Sequence, residues 1–524
     1  MSEQVILAKK IYTLDKPNEF FTAMVIKDGK IIELTQKERI NLEKDSSIQI
    51  VDFSSDIIIP GFNDSHIHAV GFGIYRKNIT LVGCGKKEFL RKIQDKVDSL
   101  NNDDWIIGRG WDHENFEDSI LPSKEDLDSV SNNHPILLHR ICGHICVVNS
   151  KALQLAGITK DTPDPEGGLL DRDPTTGDLT GILRERAIDL VKACIPSIDS
   201  RKKIDLMKEA LKELNSQGIT SIQSVDENAY SLYKSLKDNE ELTVRVYLTP
   251  MIDELPELIK NKVKSGQGDD LLRWGRMKLF SDGSLGAETA ALNDNYENSS
   301  SNGLLIYTDQ KLHDLLVNAH THGWQIEVHA IGDLSAEQVV RQFEITDAYT
   351  NRAVLTHCQI LNESIIEKMA KLGIVANIQP IFLNTDLHWA EKKIGVHRMK
   401  YSYAWKTLRN ASILCAGGSD APVERPDPLL GIHAAVNRQD NTDYPPEGWY
   451  KNESLSVWEA VKLFTVNSAY AEFQEHQKGK LLVNYLADFI VLDKDIFEIP
   501  TEDLKNIQVK ATFLGGKQVF KQNY

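Results

Sequence analysis

Short apolar runs broken by polar turns occupy both ends of the chain, and longer strand–helix units fill the middle. At the N-terminus "QVILAKKIYTL", "AMVIKDGKIIEL" and "SIQIVDF" read as strands, with Gly29 in the turn of "KDGK". Near the C-terminus "GKLLVNYLADFIVLDKD" and "VKATFLGGKQVF" show the same alternation. Both ends are therefore expected to build one small β domain, residues 1–57 with 473–524, which brings the termini together.

After "IIIPGFNDSHIH", strand-like runs recur at 218–225, 242–250, 274–283, 324–332, 352–360, 374–380 and 412–422. Apolar positions at helical spacing separate several of them, as in "DQKLHDLLVNAHTHG" and "NESIIEKMAKLG". Eight strands alternating with helices predict an α/β fold, a (β/α)8 TIM barrel over residues 58–472. An open doubly wound sheet is the alternative, but no GxGxxG follows a strand to support it. The alternation fails between about residues 70 and 217, too far for one crossover. That stretch predicts a large insertion after the first barrel strand, placed over the barrel mouth.

Composition excludes several classes. Hydrophobic residues make up 41% and charged residues 26%, ordinary values for a globular chain. Against 76 Asp and Glu stand 60 Lys and Arg, and the net charge of −16 argues against nucleic acid as a partner. The start, "MSEQVILAKKIYTLD", does not read as a signal peptide. No run approaches the roughly eighteen apolar residues of a membrane helix. Six cysteines without a CxxC pair suit a reduced compartment. A cytoplasmic protein acting on a small molecule is expected, with no nucleic-acid or membrane partner and homo-oligomerisation left open.

The first barrel strand closes on "GFNDSHIH". Residues i and i+2 of a strand share a face, so His66 and His68 project the same way. Alone, two such histidines read equally well as strand-end residues hydrogen-bonded in a loop. The other strand ends change the picture: Lys278 on the fourth, His329 on the fifth, His357 on the sixth and Asp420 on the eighth. Each has an ordinary alternative as core histidine, surface lysine or turn cap. In a barrel, however, all these ends converge on the face that carries active sites.

Imidazoles and carboxylates suit a divalent metal, zinc by default, one or two ions per chain. Such an ion lowers the pKa of its water to about 7, making hydroxide available. As an ammonium, Lys278 would repel cations. As a neutral amine that adds carbon dioxide it becomes an anionic carbamate able to bridge two ions. Asp420 can bind an ion and also carry a proton from the hydroxide to the leaving amine.

In chain order, "PGFNDSHIH", "MKLFSDGSLGAETAAL", "VHAIGD", "THCQI" and "GGSDAPV" resemble the amidohydrolase superfamily of metal-dependent hydrolases. "GKLLVNYLADFIVLDKD" is similar to that superfamily's closing β segment, and "RICGHICVVNSKALQLAGI" to a branch containing N-substituted formamide deformylases. The resemblance implies a barrel with a composite β-sandwich. It also implies a one- or two-metal site using His66, His68, Lys278, His329, His357 and Asp420. The implied activity is hydrolysis of a non-peptide C–N amide bond of the N-acyl or N-formyl amine type, although the substrate itself does not transfer with the fold.

Three rivals are a deaminase of a small cyclic substrate, a glycosidase and a non-catalytic metal-binding regulator. Lys278 counts against a strictly one-metal deaminase site, and the strand ends offer histidines where a glycosidase needs paired carboxylates. In the insertion, His144 resembles a branch-typical histidine expected to contact substrate. Trp111 and Asp112 of "GRGWDHENF" are candidates to line the mouth. Asn149 reads as a helix cap, and Asp282 and Asp333 as ligand supports or turn caps. "DRDPTTGDLTG" faintly suggests a calcium loop and fails, because Thr176 stands where glycine is needed and Ile182 where Glu is needed.

Overall fold

The computed structural model describes residues 3–39, 49–101, 104–140, 145–165, 167–196 and 198–522. The chain divides into two compact units, Met1–Phe72 with Ile204–Tyr524, and Gly73–Lys203. Among the described residues, no helix is long and apolar enough to cross a membrane.

In the first unit, eight strands follow the expected order. They are β1 (Phe62–Ile67), β2 (Ile219–Val225), β3 (Arg245–Thr249), β4 (Met277–Phe280), β5 (Ile326–Ala330), β6 (Val354–His357), β7 (Val375–Ile378) and β8 (Cys415–Gly417). Their pairings within each run are parallel. Every residue of β5, β6 and β7 is buried, as in parallel strands covered on both faces. Helices follow most strands. In Glu363–Leu372, Asn362 Oδ1 accepts the Ile365 N–H at 3.0 Å, and Gly373 in the left-handed region stops the helix.

The ladder is not continuous around the ring. β1, β2 and β3 form one sheet with the short strand Leu272–Trp274, and β4 to β8 form another. At one seam the Lys278 N–H donates to Pro250 O at 2.9 Å. At the other, Asp420 N–H donates to His66 O at 2.7 Å and His68 N–H to Ala421 O at 2.9 Å. The sequence predicted one closed barrel; the structure has two parallel arcs joined by individual hydrogen bonds.

Both ends of the chain enter one seven-stranded sheet. Its order is Lys517–Lys521, Val509–Leu514, Phe489–Leu492, Gln49–Pro60, Gln4–Tyr12, Phe20–Lys27 and Lys30–Thr35. The period of two sorts its side chains: Ile57, Ile59, Ile490 and Leu492 join the main core, while Ile58, Phe489, Val491 and Phe513 join a second cluster. Strands from both termini thus share one hydrogen-bonded sheet. The chain passes from it into β1 at Gly61, where a Cβ would lie 2.3 Å from Thr220 Oγ1.

Deleting residues 489–524 should thus unpair one edge of Gln49–Pro60 and strip Phe489, Val491 and Phe513 from the second cluster. Each lost Phe is worth about 3–5 kcal/mol, so amides of Gln4–Tyr12 and Phe20–Lys27 should lose hydrogen-exchange protection. Full protection of those strands after truncation would contradict the shared sheet.

The second unit has a six-stranded sheet ordered Gly168–Arg172, Leu179–Glu185, Ile145–Val148, Ile136–Arg140, Ile106–Trp111 and Ile79–Thr80. Alternate residues again serve two clusters, Leu138, Val147 and Ile182 in one and Leu137, Cys146, Val148 and Leu183 in the other. This unit, Gly73–Lys203, is shorter than the predicted insertion of 70–217. The reason is the helix Ser200–Ser216, which sends Met207, Ala210, Leu211 and Leu214 into the main core and so belongs to the first unit's packing.

Candidate metal centre

Strand ends position the polar side chains. His66 is the fifth residue of β1 and His68 lies just beyond it; their rings stand 5.4 Å apart, edge to face. Lys278 is on β4, His329 on β5, and His357 ends β6. Asp420 follows β8. His357 (φ 81°) and Asp420 (φ 56°) both adopt left-handed backbone, a strain of about 1–3 kcal/mol each that the surrounding hydrogen bonds hold in place. Gly418 lets this turn approach β1, since a Cβ there would sit 2.6 Å from His66 N.

Hydrogen-bond chemistry fixes where the rings of His68 and His357 carry protons. His68 Nδ1 lies 2.9 Å from Val225 O, which only accepts, so Nδ1 is protonated. In the neutral ring Nε2 then bears a lone pair, and it faces Asp420 Oδ1 at 3.2 Å. His357 Nδ1 lies 2.8 Å from Gln379 Oε1, whose amide is oriented by its donation to Asn377 Oδ1. His66 Nδ1 lies 2.6 Å from Glu327 Oε1, off the ideal hydrogen-bond line, while its Nε2 is 3.4 Å from Asp420 Oδ1.

Ring nitrogens and a carboxylate oxygen thus face one another in a buried space. Ligand atoms of His66, His357 and Asp420 all lie within 4.8 Å of one another. Asp420 Oδ1 has no hydrogen-bond donor there. Lys278 Nζ lies 3.3 Å from His66 Nε2 at the edge of this group. The donor set of imidazole nitrogens and carboxylate oxygen fits a divalent metal ion.

Beneath this group lies a buried ionic floor. Glu327 Oε2 accepts Arg276 Nε at 2.6 Å; Oε1 accepts Thr356 Oγ1 at 2.8 Å and Lys278 Nζ at 3.2 Å. Burial alone would raise the Glu327 pKa, but Arg276, Lys278 and His66 hold it well below the usual range. Burial also lowers the Lys278 amine, against the pull of Glu327 and Asp420. Asp420 is likewise buried, yet His66 and His68 keep it well below an ordinary carboxylate. Asp64 is pushed up to about 6 by burial, although it accepts Ser419 N–H at 3.0 Å and Ser419 Oγ–H at 2.6 Å.

The structure gathers five of the six predicted ligands around Asp420 and β6 and turns one aside. His329 packs against His357, ring centroids 4.4 Å apart, but its Nε2 is occupied by Gly283 O at 2.9 Å, leaving Nδ1 as the free nitrogen. Asp282 supports this arrangement, lying 3.3 Å from His329 Nε2 while accepting N–H groups of Ala291, Ile331 and Gly332. Asp333 accepts from Asn293 N–H and Nδ2.

In the second unit, Trp111 is wholly buried and its indole N–H donates to Leu138 O at 2.7 Å, the environment of a core residue. Asp112 pairs with Arg140 at 2.7 Å. Asn149 caps the helix Ser150–Leu155 by accepting the Ala152 N–H at 3.0 Å. His144 lies outside the described residues.

Sequence reading missed Glu327 and Arg276. Their signal was available: each stands two residues before a predicted ligand, His329 and Lys278, and so shares its face of the strand.

A family profile described as Amidohydrolase family matches residues 49–520. The chain is 34% identical over 525 residues to the protein named "Putative amidohydrolase YtcJ" of Bacillus subtilis (strain 168), with 98% of each chain covered. It is 23% identical over 541 residues to the N-substituted formamide deformylase of Arthrobacter pascens, again with 98% of each covered. Among solved structures, an uncharacterized metal-dependent hydrolase from Pyrococcus furiosus matches with a TM-score of 0.79 at 26% identity, covering 95% of this chain and 100% of that one.

Proposed function

Because the chain belongs to the amidohydrolase family, we propose that this metal-dependent hydrolase cleaves a non-peptide C–N amide bond of an N-acyl or N-formyl amine. The observation that carries this reading is the buried convergence of His66, His68 and His357 ring nitrogens on the Asp420 carboxylate. Support for the bond type comes from the likeness to the formamide deformylase.

His66, His357 and Asp420 would hold the ion, with His68, Lys278 and His329 completing a centre of one or two zinc ions. When bound, the metal supplies Lewis acidity to an amide carbonyl and makes water nucleophilic near neutral pH. Lys278 would join as a carbamate: its neutral amine forms a bond to the carbon of carbon dioxide, and one N–H proton leaves to solvent. Asp420 would accept the proton of the attacking water on a carboxylate oxygen and deliver it to the departing nitrogen, which cannot leave as an amide anion. His68, tied to Val225 O, keeps its Nε2 aimed at that carboxylate. Closure of the eight strands into one (β/α)8 barrel is part of this reading.

Elemental analysis of the purified protein should find one or two divalent ions per chain. Chelation should abolish hydrolysis of N-formyl and N-acyl amines without unfolding, since the large apolar core does not depend on the ion. Full hydrolysis after verified removal of metal would refute the proposal.

A further inference from the structure

We propose that Glu327 is a positioning residue of the metal centre, holding His66 in its ligating tautomer and Lys278 beside it. The inference rests on the reading of His66 and Lys278 as ligands. Glu327 is fully buried, and its Oε1 lies 2.6 Å from His66 Nδ1, 2.8 Å from Thr356 Oγ1 and 3.2 Å from Lys278 Nζ. A carboxylate only accepts, so Thr356 and Lys278 donate to it, and a proton on His66 Nδ1, close by but off the hydrogen-bond line, is the form that this oxygen favours. A neutral imidazole with its proton on Nδ1 has its lone pair on Nε2, the atom that faces Lys278 Nζ at 3.3 Å and Asp420 Oδ1 at 3.4 Å.

Arg276 keeps the carboxylate from turning away. It donates from Nε to Glu327 Oε2 and is itself fixed by Gln223 Oε1 at 2.5 Å and Ser65 O at 3.0 Å. Lys278 Nζ retains a hydrogen as an amine, and still retains one after carbon dioxide has replaced one of its protons. The same oxygen can therefore hold Lys278 in either form. Outer carboxylates of this kind fix ring orientation and tautomer in metal sites generally.

Glu327→Gln tests the point because the amide has one acceptor and one donor end. With its oxygen turned to Arg276, its NH2 faces His66 Nδ1 and selects the opposite tautomer, with the proton on Nε2. Zinc affinity, measured by competition with a chromophoric chelator, should fall about 10- to 100-fold. Histidine 15N shifts of the metal-free protein, assigned by comparison with His66→Gln, should show the His66 proton moved from Nδ1 to Nε2.

Glu327→Asp covers the case in which the first variant does not fold. It keeps a negative charge for Arg276 while withdrawing the oxygen from His66, and it too should bind zinc more weakly. A folded variant with unchanged zinc affinity and an unmoved His66 tautomer would overturn the proposal. Failure of the unaltered protein to bind zinc would instead overturn the metal reading beneath it.

Discussion

Asp420→Asn is expected to lower turnover by about a hundredfold to ten-thousandfold while the protein keeps at least part of its metal. In the proposed mechanism the carboxylate has two separate tasks. Oδ1 lies 3.4 Å from His66 Nε2 and 3.2 Å from His68 Nε2, where it would complete the ligand set. As a base, it must also take up and return a proton within each turnover. An asparagine oxygen still coordinates weakly but cannot carry that proton. Asparagine tolerates left-handed backbone well, so φ 56° at this position should be kept and folding spared. Steady-state kinetics on metal-replete protein, with metal content measured on the same sample, separates the two tasks. Turnover within a few fold of the unaltered protein would remove Asp420 from the proton path.

Arg276→Met should cost about 3–5 kcal/mol of stability, because it leaves the Glu327 carboxylate buried without its charge partner. Arg276 is fully buried and its hydrogen bonds all go to buried groups, so water cannot replace the guanidinium without opening the core. Adding Glu327→Gln to this variant should recover part of the loss, since the orphaned charge is then gone and neighbouring effects do not add. The double variant should nevertheless bind zinc more weakly than the parent, because the carboxylate beside His66 Nδ1 is gone. Denaturant midpoints and zinc titrations of the three variants test this. A single Arg276→Met variant as stable as the parent would show that the floor is not a charge-paired unit.

Much of the arrangement was readable from spacing alone. Eight apolar runs with helices between them named the eight strands in order, and polar residues at the run ends named His66, His68, Lys278, His329, His357 and Asp420. These signals are local, since period and terminus are properties of a few adjacent residues. Where the second unit ends, at Lys203, is not legible in the same local way. Helix Ser200–Ser216 has an ordinary amphipathic pattern, and nothing within it says which core its apolar face will join.

Residue type and spacing therefore determined which side chains reach the strand ends and what chemistry they can perform. Tertiary structure decided how each is presented. Val225 O orients His68, Gln379 orients His357, Gly283 O draws one nitrogen of His329 aside, and Glu327 faces His66 across 261 positions of chain. A ring nitrogen's proton is set by the partner opposite it, and those partners come from other strands and loops. Only folding brings them within about 3 Å, the distance at which a hydrogen bond selects a tautomer.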